Sequence, residues 1–153
     1  MQGWVETCHP DIRLMLGYWL EKCAGRLMPA RSDIDPGEIR RFLPYITLVD
    51  VVDDDRRCVY RLIGTKEVAL RGCYPTGKSV AEAYFGRSVE NVMAKYDGVC
   101  AGRAPFHEHD NFQVVDRYIG EENLFLPLSD DGLTVNKILV FSINRDLYEM
   151  PLE

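Results

Sequence analysis

The sequence has 153 residues, of which 46% are hydrophobic and 27% are charged, and its formal net charge is −6. This composition is typical of a folded domain and excludes disordered, collagen-like and low-complexity chains. The negative charge disfavours binding to nucleic acid, and no apolar run approaches the ~20 residues that a membrane span needs.

The first predicted element is a helix over residues 10–24. Pro10 suits the first helical position, Asp11 suits the positive end of the helix dipole, and apolar residues recur at helical spacing. The apolar stripe predicts a contact with a second copy of the chain or with another protein, because Trp and Met are enriched in interface cores. The interface candidates are Met15, Leu16, Trp19 and Leu20. The alternative is that this stripe packs on the back of the chain's own sheet.

A short helix and two strands follow. Asp35 and Pro36 give a helix start, and Pro44 predicts its end. Residues 45–52 and 58–65 are rich in β-branched and aromatic residues and are separated by a polar turn. This pattern predicts an antiparallel hairpin.

The middle of the chain is predicted to be helical and the last third to be β. Short helical pieces are expected at residues 67–70 and 79–84, and a long helix at 88–101. Strands are expected at 104–109, at 114–118 and 124–128 as one long strand with a polar interruption, and at 135–143. Two strands, then helices, then further strands predict an α+β fold with an antiparallel sheet.

This order, together with several local motifs, resembles the single-domain PAS proteins of alphaproteobacteria. The similarity covers about residues 18–143. The matching pieces are Tyr18-Trp19, the run from Gly25 to Arg31, Asp33-Ile34-Asp35-Pro36, Leu43-Pro44, the run from Tyr60 to Thr65, Gly72, Thr76-Gly77-Lys78 and the run from Leu126 to Gly132.

The resemblance implies a PAS-like five-stranded antiparallel sheet, with helices on one face and an N-terminal helical extension that such proteins often use to dimerise. We expect an extension over residues 1–44, a core over 45–144 and a tail over 145–153. The resemblance also implies a sensory or regulatory role rather than catalysis. Fold alone does not fix function, so the site is argued separately.

No cofactor is assigned from the sequence. A flavin-binding photosensory PAS domain carries a reactive cysteine in an Asn-Cys-Arg-Phe-Leu-like run, whereas Cys73 has different neighbours. A haem-binding PAS domain carries a histidine on the long helix, and residues 88–101 contain none.

A ligand pocket is expected between the long helix and the sheet, lined mainly by apolar groups. The alternative for each lining candidate is plain core, and the strand register stays open, so Ile63 competes with Tyr60 for an inward position. Arg61 is a candidate anchor for an anionic ligand or else a surface residue. The pocket candidates are Tyr60, Arg61, Val92, Met93, Tyr96, Phe106 and Phe125.

Two histidines form the one sequence pattern that suggests a metal-binding site. His107 and His109 lie two residues apart, so they share one face of a strand, and two imidazoles placed in this way can bind one ion. The sequence reveals no third ligand. We therefore predict a solvent-facing polar strand and assign no metal.

These observations favour a sensory or regulatory protein that acts through protein–protein contact, with or without gating by a small ligand in the core. A domain with a defined ligand is the alternative, and a small enzyme using Asp50 or His107 is a remote one. No output domain follows the last strand, so we expect the output to be another protein. The five widely spaced cysteines and the lack of a signal-peptide pattern predict reduced thiols in the cytoplasm.

Overall fold

Five antiparallel strands form one sheet in the order β2-β1-β5-β4-β3. The computed structural model describes residues 3–114 and 117–144. The strands are β1 (Ile46–Val51), β2 (Cys58–Ile63), β3 (Phe106–Val114), β4 (Arg117–Leu128) and β5 (Lys137–Asn144). This architecture confirms the predicted five-stranded α+β fold.

Helices cover both faces of the sheet. The α-helices are α1 (Trp4–Thr7), α2 (Pro10–Cys23), α3 (Thr65–Arg71), α4 (Val80–Ala83) and α5 (Val89–Gly102). Two 3-10 segments, Arg31–Asp33 and Pro36–Tyr45, connect α2 to β1. The helices α3 to α5 lie on one face, and the elements before β1 lie on the other, which is why every residue of β5 after Lys137 is buried.

Local sequence signals determine the ends of the two long helices. The His9 side chain accepts a hydrogen bond from the Asp11 N–H and caps α2, and Pro10 occupies its first position. The Ser88 hydroxyl accepts a hydrogen bond from the Asn91 N–H and caps α5. Arg103 ends α5 in the left-handed region with φ 51°.

The predicted long strand over residues 114–128 is observed as β4, but β4 begins at Arg117 and residue 114 belongs to β3. Val114 ends β3 and pairs with Arg117 at the start of β4, so the chain reverses between them. No glycine or proline marks this reversal, which made the apolar pattern look continuous.

The predicted N-terminal extension is packed on the outer face of the sheet, which is the face opposite α5. Its buried residues from Cys8 to Phe42 belong to the same hydrophobic cluster as the buried residues of the strands. The predicted tail over residues 145–153 lies outside the described residues. Among the described helices, none has the length and apolar character needed to cross a membrane.

Candidate functional site

A small polar cavity lies between α5 and the sheet. Its volume is about 40 Å³, which is room for roughly three water molecules. Tyr60, Val92, Tyr96 and Phe125, four of the predicted pocket residues, line it. Most of the remaining lining is polar or charged: Thr47, Glu67, Arg71, Lys95, Glu108, Asp110, Glu121, Asn123 and Ser142.

Strand pairing and helix periodicity bring these charges together. Glu108 lies opposite Asn123 and Asp110 lies opposite Glu121 in the β3–β4 pair, so alternate residues of both strands face α5. On α3, Glu67 and Arg71 are four residues apart and share a helix face.

Lys95 organises one half of the cavity. Its Nζ donates to Glu108 Oε1 at 2.9 Å and to Asp110 Oδ2 at 3.0 Å. Arg87 Nη2 also donates to Asp110 Oδ1 at 2.7 Å, and Asn123 Nδ2 donates to Glu108 Oε1 at 3.1 Å. Burial alone would raise the pKa of Asp110, but the hydrogen bonds from Arg87 and Lys95 outweigh it and lower that pKa. This half is therefore a satisfied ion-pair network.

The other half holds two deeply buried carboxyl groups. Burial, and to a lesser degree the charge of nearby Glu121, raise the pKa of Glu67 from its ordinary value of 4.5 to about 8. Burial likewise raises the pKa of Glu121 to about 7. Both groups therefore hold protons near neutral pH to a degree that an exposed glutamate does not.

Arg71 lies beside these carboxyl groups. Its guanidinium stacks over the rings of Tyr60, at 4.8 Å, and Phe85, at 5.2 Å. Burial lowers the pKa of Arg71, but Tyr60 and Glu67 outweigh that effect and the pKa is raised. Arg71 is thus a charged group inside the cavity.

Several buried polar atoms at this cavity have no hydrogen-bond partner in the described part of the chain. They are Thr47 Oγ1, Arg71 Nε and Nη1, Glu121 Oε1 and Asn123 Oδ1. A buried polar atom without a partner costs about 1–3 kcal/mol. The cavity therefore favours a polar occupant that hydrogen-bonds to these atoms.

Three predicted pocket residues lie elsewhere. Arg61 is exposed because Tyr60, its neighbour on β2, points inward and successive strand residues alternate. Met93 is buried in the hydrophobic core but does not line the cavity, and instead borders a separate groove beside Arg57 and Ala81. Phe106 is 39% exposed at the start of β3, and its ring contacts Phe125 at an interplanar angle of 49° without lining the cavity.

The predicted interface residues of the first helix need a similar correction. Met15, Leu16 and Trp19 are buried within this chain, and only Leu20 is exposed. The Trp19 indole donates a hydrogen bond to the carbonyl oxygen of Pro127 on β4. The stripe therefore packs on the back of the sheet, which was the alternative for this helix.

The two histidines of β3 face the opposite side of the sheet from the cavity. His109 is exposed, but the His107 side chain is buried beneath Trp4. The prediction of a solvent-facing strand is wrong at His107 because the N-terminal helices cover it. Asp50, the remote catalytic candidate, instead accepts a hydrogen bond from Lys137.

The cavity does not fit a flavin or a haem. Pockets that enclose drug-sized ligands have volumes of about 300 Å³ or more. In addition, no cysteine or histidine is among the described residues that line the cavity.

Helices that cross one face of a five-stranded antiparallel sheet are the architecture of PAS domains. A family model described as "PAS domain" matches residues 7–141. The chain therefore belongs to the PAS domain family. A search of the curated proteins finds no match to the sequence.

Solved structures of sensory domains are similar to this chain. The PAS domain of Bordetella pertussis BvgS has 18% identity and a TM-score of 0.51, over 71% of this chain and 84% of that one. The LOV domain of a blue-light activated histidine kinase from Erythrobacter litoralis has 10% identity and a TM-score of 0.50, over 65% and 94%. An RNA-binding Light-Oxygen-Voltage receptor has 16% identity and a TM-score of 0.52, over 76% and 36%. At these identities the similarity shows the fold alone.

Proposed function

We propose that this chain is a non-catalytic regulatory domain whose input site is the polar cavity and whose output is contact with another protein. The observation that carries this proposal is the group of buried polar atoms without partners, at Thr47, Arg71, Glu121 and Asn123. They line one cavity and leave hydrogen-bonding capacity that an occupant satisfies.

An occupant of the cavity acts on helices as well as on the sheet. Arg71 belongs to α3 and Lys95 and Tyr96 belong to α5, while Thr47 and Glu121 belong to strands. A ligand that bridges these elements favours one packing of α3 and α5 over another. It changes the output only to the extent that it binds the two packings with different affinity.

The open donors favour a small carboxylate or a molecule of similar shape. Arg71 Nε and Nη1 lie on different edges of one guanidinium, so each can donate a single charge-assisted hydrogen bond to a carboxylate oxygen. Glu67 and Glu121, with pKa values raised to about 8 and about 7, repel an anion less than ionised groups would. The volume of about 40 Å³ limits the ligand to one of very few heavy atoms unless α5 shifts.

An apolar groove on the outer face supplies an output surface. It lies between the 3-10 segment Pro36–Tyr45 and strands β1 and β2, and has a volume of about 380 Å³. Ile39, Leu43 and the exposed Leu62 line it, and Arg31 and Arg40 also border it. This composition suits a partner with an apolar anchor flanked by acidic groups, either a second copy of this chain or another signalling protein.

We place this activity in the cytoplasm. All five cysteines are free, which is typical of proteins in a reducing compartment.

Native mass spectrometry tests the input site. Protein purified from cells is weighed under native and denaturing conditions, beside Arg71→Met. A mass excess that disappears on denaturation and is absent from the variant supports ligand binding at Arg71. An excess that Arg71→Met retains contradicts this site. If neither protein carries a mass excess, the wild type is titrated with formate and with acetate. No change in melting temperature with either anion overturns the carboxylate proposal.

Light scattering tests the output surface. A dimer that Leu62→Asp converts to a monomer, with unchanged circular dichroism, assigns the groove to a second copy of the chain. A dimer that survives this change excludes the groove as the homodimer contact.

A further inference from the structure

A second cluster of side chains lies on the outer face of the sheet, on the opposite side from the cavity. His107 and His109 belong to β3, and Glu122 lies directly opposite His109 on β4. Alternation along both strands places all three side chains on one face. One donor atom from each lies within 4.8 Å of the donor atoms of the other two.

We propose that His107, His109 and Glu122 bind a divalent transition-metal ion of the zinc type. Two imidazoles and one carboxylate are a ligand set that Zn²⁺ prefers, whereas Mg²⁺ and Ca²⁺ prefer oxygen ligands alone. Three protein ligands leave a fourth position of the tetrahedron for water or for a further ligand.

To accept the ion, the shortest donor–donor separation must lengthen and the longest, up to 4.8 Å, must shorten to about 3.4 Å. His107 Nε2 and Glu122 Oε2 are 2.6 Å apart and share a hydrogen bond. Metal–ligand bonds of about 2.0–2.2 Å at a tetrahedral angle separate two donor atoms by about 3.4 Å. On binding, the N–H proton of neutral His107 moves from Nε2 to Nδ1, so that the Nε2 lone pair and Glu122 Oε2 both bind the ion, and these two atoms move apart by less than 1 Å by this arithmetic.

Neighbouring groups already orient two of the ligands. The backbone N–H of His9 points at both Glu122 oxygens, with distances of 3.3 Å and 3.1 Å. The Trp4 indole stacks on the His107 ring at 4.5 Å with an interplanar angle of 7°. Supporting contacts of this kind orient metal ligands and raise affinity. The exposed His109 leaves the ion a route from solvent.

The site joins the sheet to the N-terminal helices. Trp4 is the first residue of α1 and His9 caps α2, so both helices touch the proposed ligands. Binding of the ion therefore changes the contacts that hold these helices on the sheet. This inference concerns a different face of the molecule and does not depend on the proposed function of the cavity.

Co²⁺ absorption and Zn²⁺ calorimetry test the site in a Cys73→Ser background, because Cys73 is an exposed thiol that binds metals by itself. We expect one Co²⁺ per chain with the visible absorption of a tetrahedral complex, displacement by Zn²⁺, and no effect of excess Mg²⁺. His109→Ala and Glu122→Gln should each weaken Zn²⁺ binding by at least about tenfold. Glu122→Gln retains an oxygen that accepts from the His9 N–H, and His109→Ala changes an exposed residue, so both should fold.

Glu90→Gln is the matched control, because it makes the same substitution as Glu122→Gln at an exposed residue of α5, on the opposite side of the sheet from the proposed ligands. It should leave Zn²⁺ affinity unchanged. Absence of tetrahedral Co²⁺ absorption in the parent protein overturns the proposal. Equal Zn²⁺ affinity in the parent, His109→Ala and Glu122→Gln overturns it as well.

Discussion

The indole N–H of Trp19 donates a 2.8 Å hydrogen bond to the carbonyl oxygen of Pro127, which ties α2 to the back of β4. Pro127 pairs with Ile138 of β5 in the sheet. The bond therefore connects a helix of the N-terminal region to the centre of the core. It explains why the apolar stripe of α2 is part of the core instead of a free surface.

Trp19 should contribute strongly to stability. Trp19→Ala removes a buried ring and is expected to lower the free energy of unfolding by about 3–5 kcal/mol. Trp19→Phe keeps a buried ring but leaves the Pro127 carbonyl without its donor, and the unmet hydrogen bond alone should cost about 1–3 kcal/mol. Urea unfolding at constant pH measures both values.

Leu20→Ala is the matched control on the same helix. Leu20 is 42% exposed, so this change should stay within about 0.5 kcal/mol of the wild type. An equal loss of stability in Trp19→Ala and Leu20→Ala would contradict the packing described for α2.

Glu67 should make stability fall as pH rises. Its pKa is about 8 in the folded chain and its ordinary value is 4.5. Between these values the unfolded chain releases the proton while the folded chain retains it, so the free energy of unfolding decreases with pH. Below 4.5 both states are protonated and this contribution is fully present. Glu67→Gln should remove this part of the slope and gain stability relative to the wild type from pH 5 to pH 8.

Urea unfolding at several pH values measures the difference in the free energy of unfolding between Glu67→Gln and the wild type. Glu90→Gln, which changes an exposed residue of α5, supplies the comparison and should give a nearly constant difference over this range. If the Glu67→Gln difference is equally constant, the raised pKa of Glu67 is refuted.

The elements were predictable where local chemistry determines them. Pro10 and Asp11 at the start of α2, and Ser88 at the start of α5, adjoin strong helical periodicity, so both helices were predicted within about two residues of their observed ends. The inward positions of Val92 and Tyr96 follow from the same periodicity. On β2, Tyr60 and Arg61 were both candidates, because only the strand register decides which of two successive residues points inward.

The charged cavity was not predictable from the sequence. Glu67 and Arg71 are four residues apart on a helix, which is the usual spacing of solvent-exposed ion pairs as well. Asp110 and Glu121 meet only because β3 and β4 pair in the observed register. A polar residue on a strand is ordinarily solvent-facing, and only the position of α5 over this sheet face reverses that expectation. The same reasoning applies to Glu122, which joins the two histidines through strand pairing.

Lys95 should be essential for the satisfied half of the cavity. Its side chain is 13% exposed and bonds to both Glu108 and Asp110. Lys95→Met keeps the apolar stem but leaves two carboxylates beside each other, which should cost about 3 kcal/mol of stability. Chemical unfolding at pH 7 gives the value.

An exposed ion pair provides the reference for Lys95. Asp97 pairs with Arg57, and each side chain is 52% exposed. Asp97→Asn should cost less than about 1 kcal/mol, because solvent screens such pairs. Similar losses for Lys95→Met and Asp97→Asn would show that the cavity network is solvated.

Gly64 should tolerate no side chain, although its backbone is extended and unstrained. A Cβ atom here would lie 2.4 Å from the carbonyl oxygens of both Leu43 and Pro44. These are backbone atoms, so the clash is relieved only if the 3-10 segment before β1 or the start of α3 moves. Gly64→Ala is therefore expected to lose at least about 2 kcal/mol of stability, measured by urea unfolding.

Gly98→Ala is the control for Gly64 because it adds the same methyl group where nothing lies within 4 Å. In the interior of α5 this change should stabilise the protein by about 0.5–1 kcal/mol. The same substitution therefore changes stability in opposite directions at Gly64 and Gly98, because only Gly64 has backbone atoms close to the added methyl group. Because Gly64 sets the start of α3, Gly64→Ala should also shift Glu67 and Arg71 and raise the exposure of the cavity, seen as faster amide exchange in α3. Unchanged exchange in α3 together with wild-type stability would disprove the close approach at Gly64.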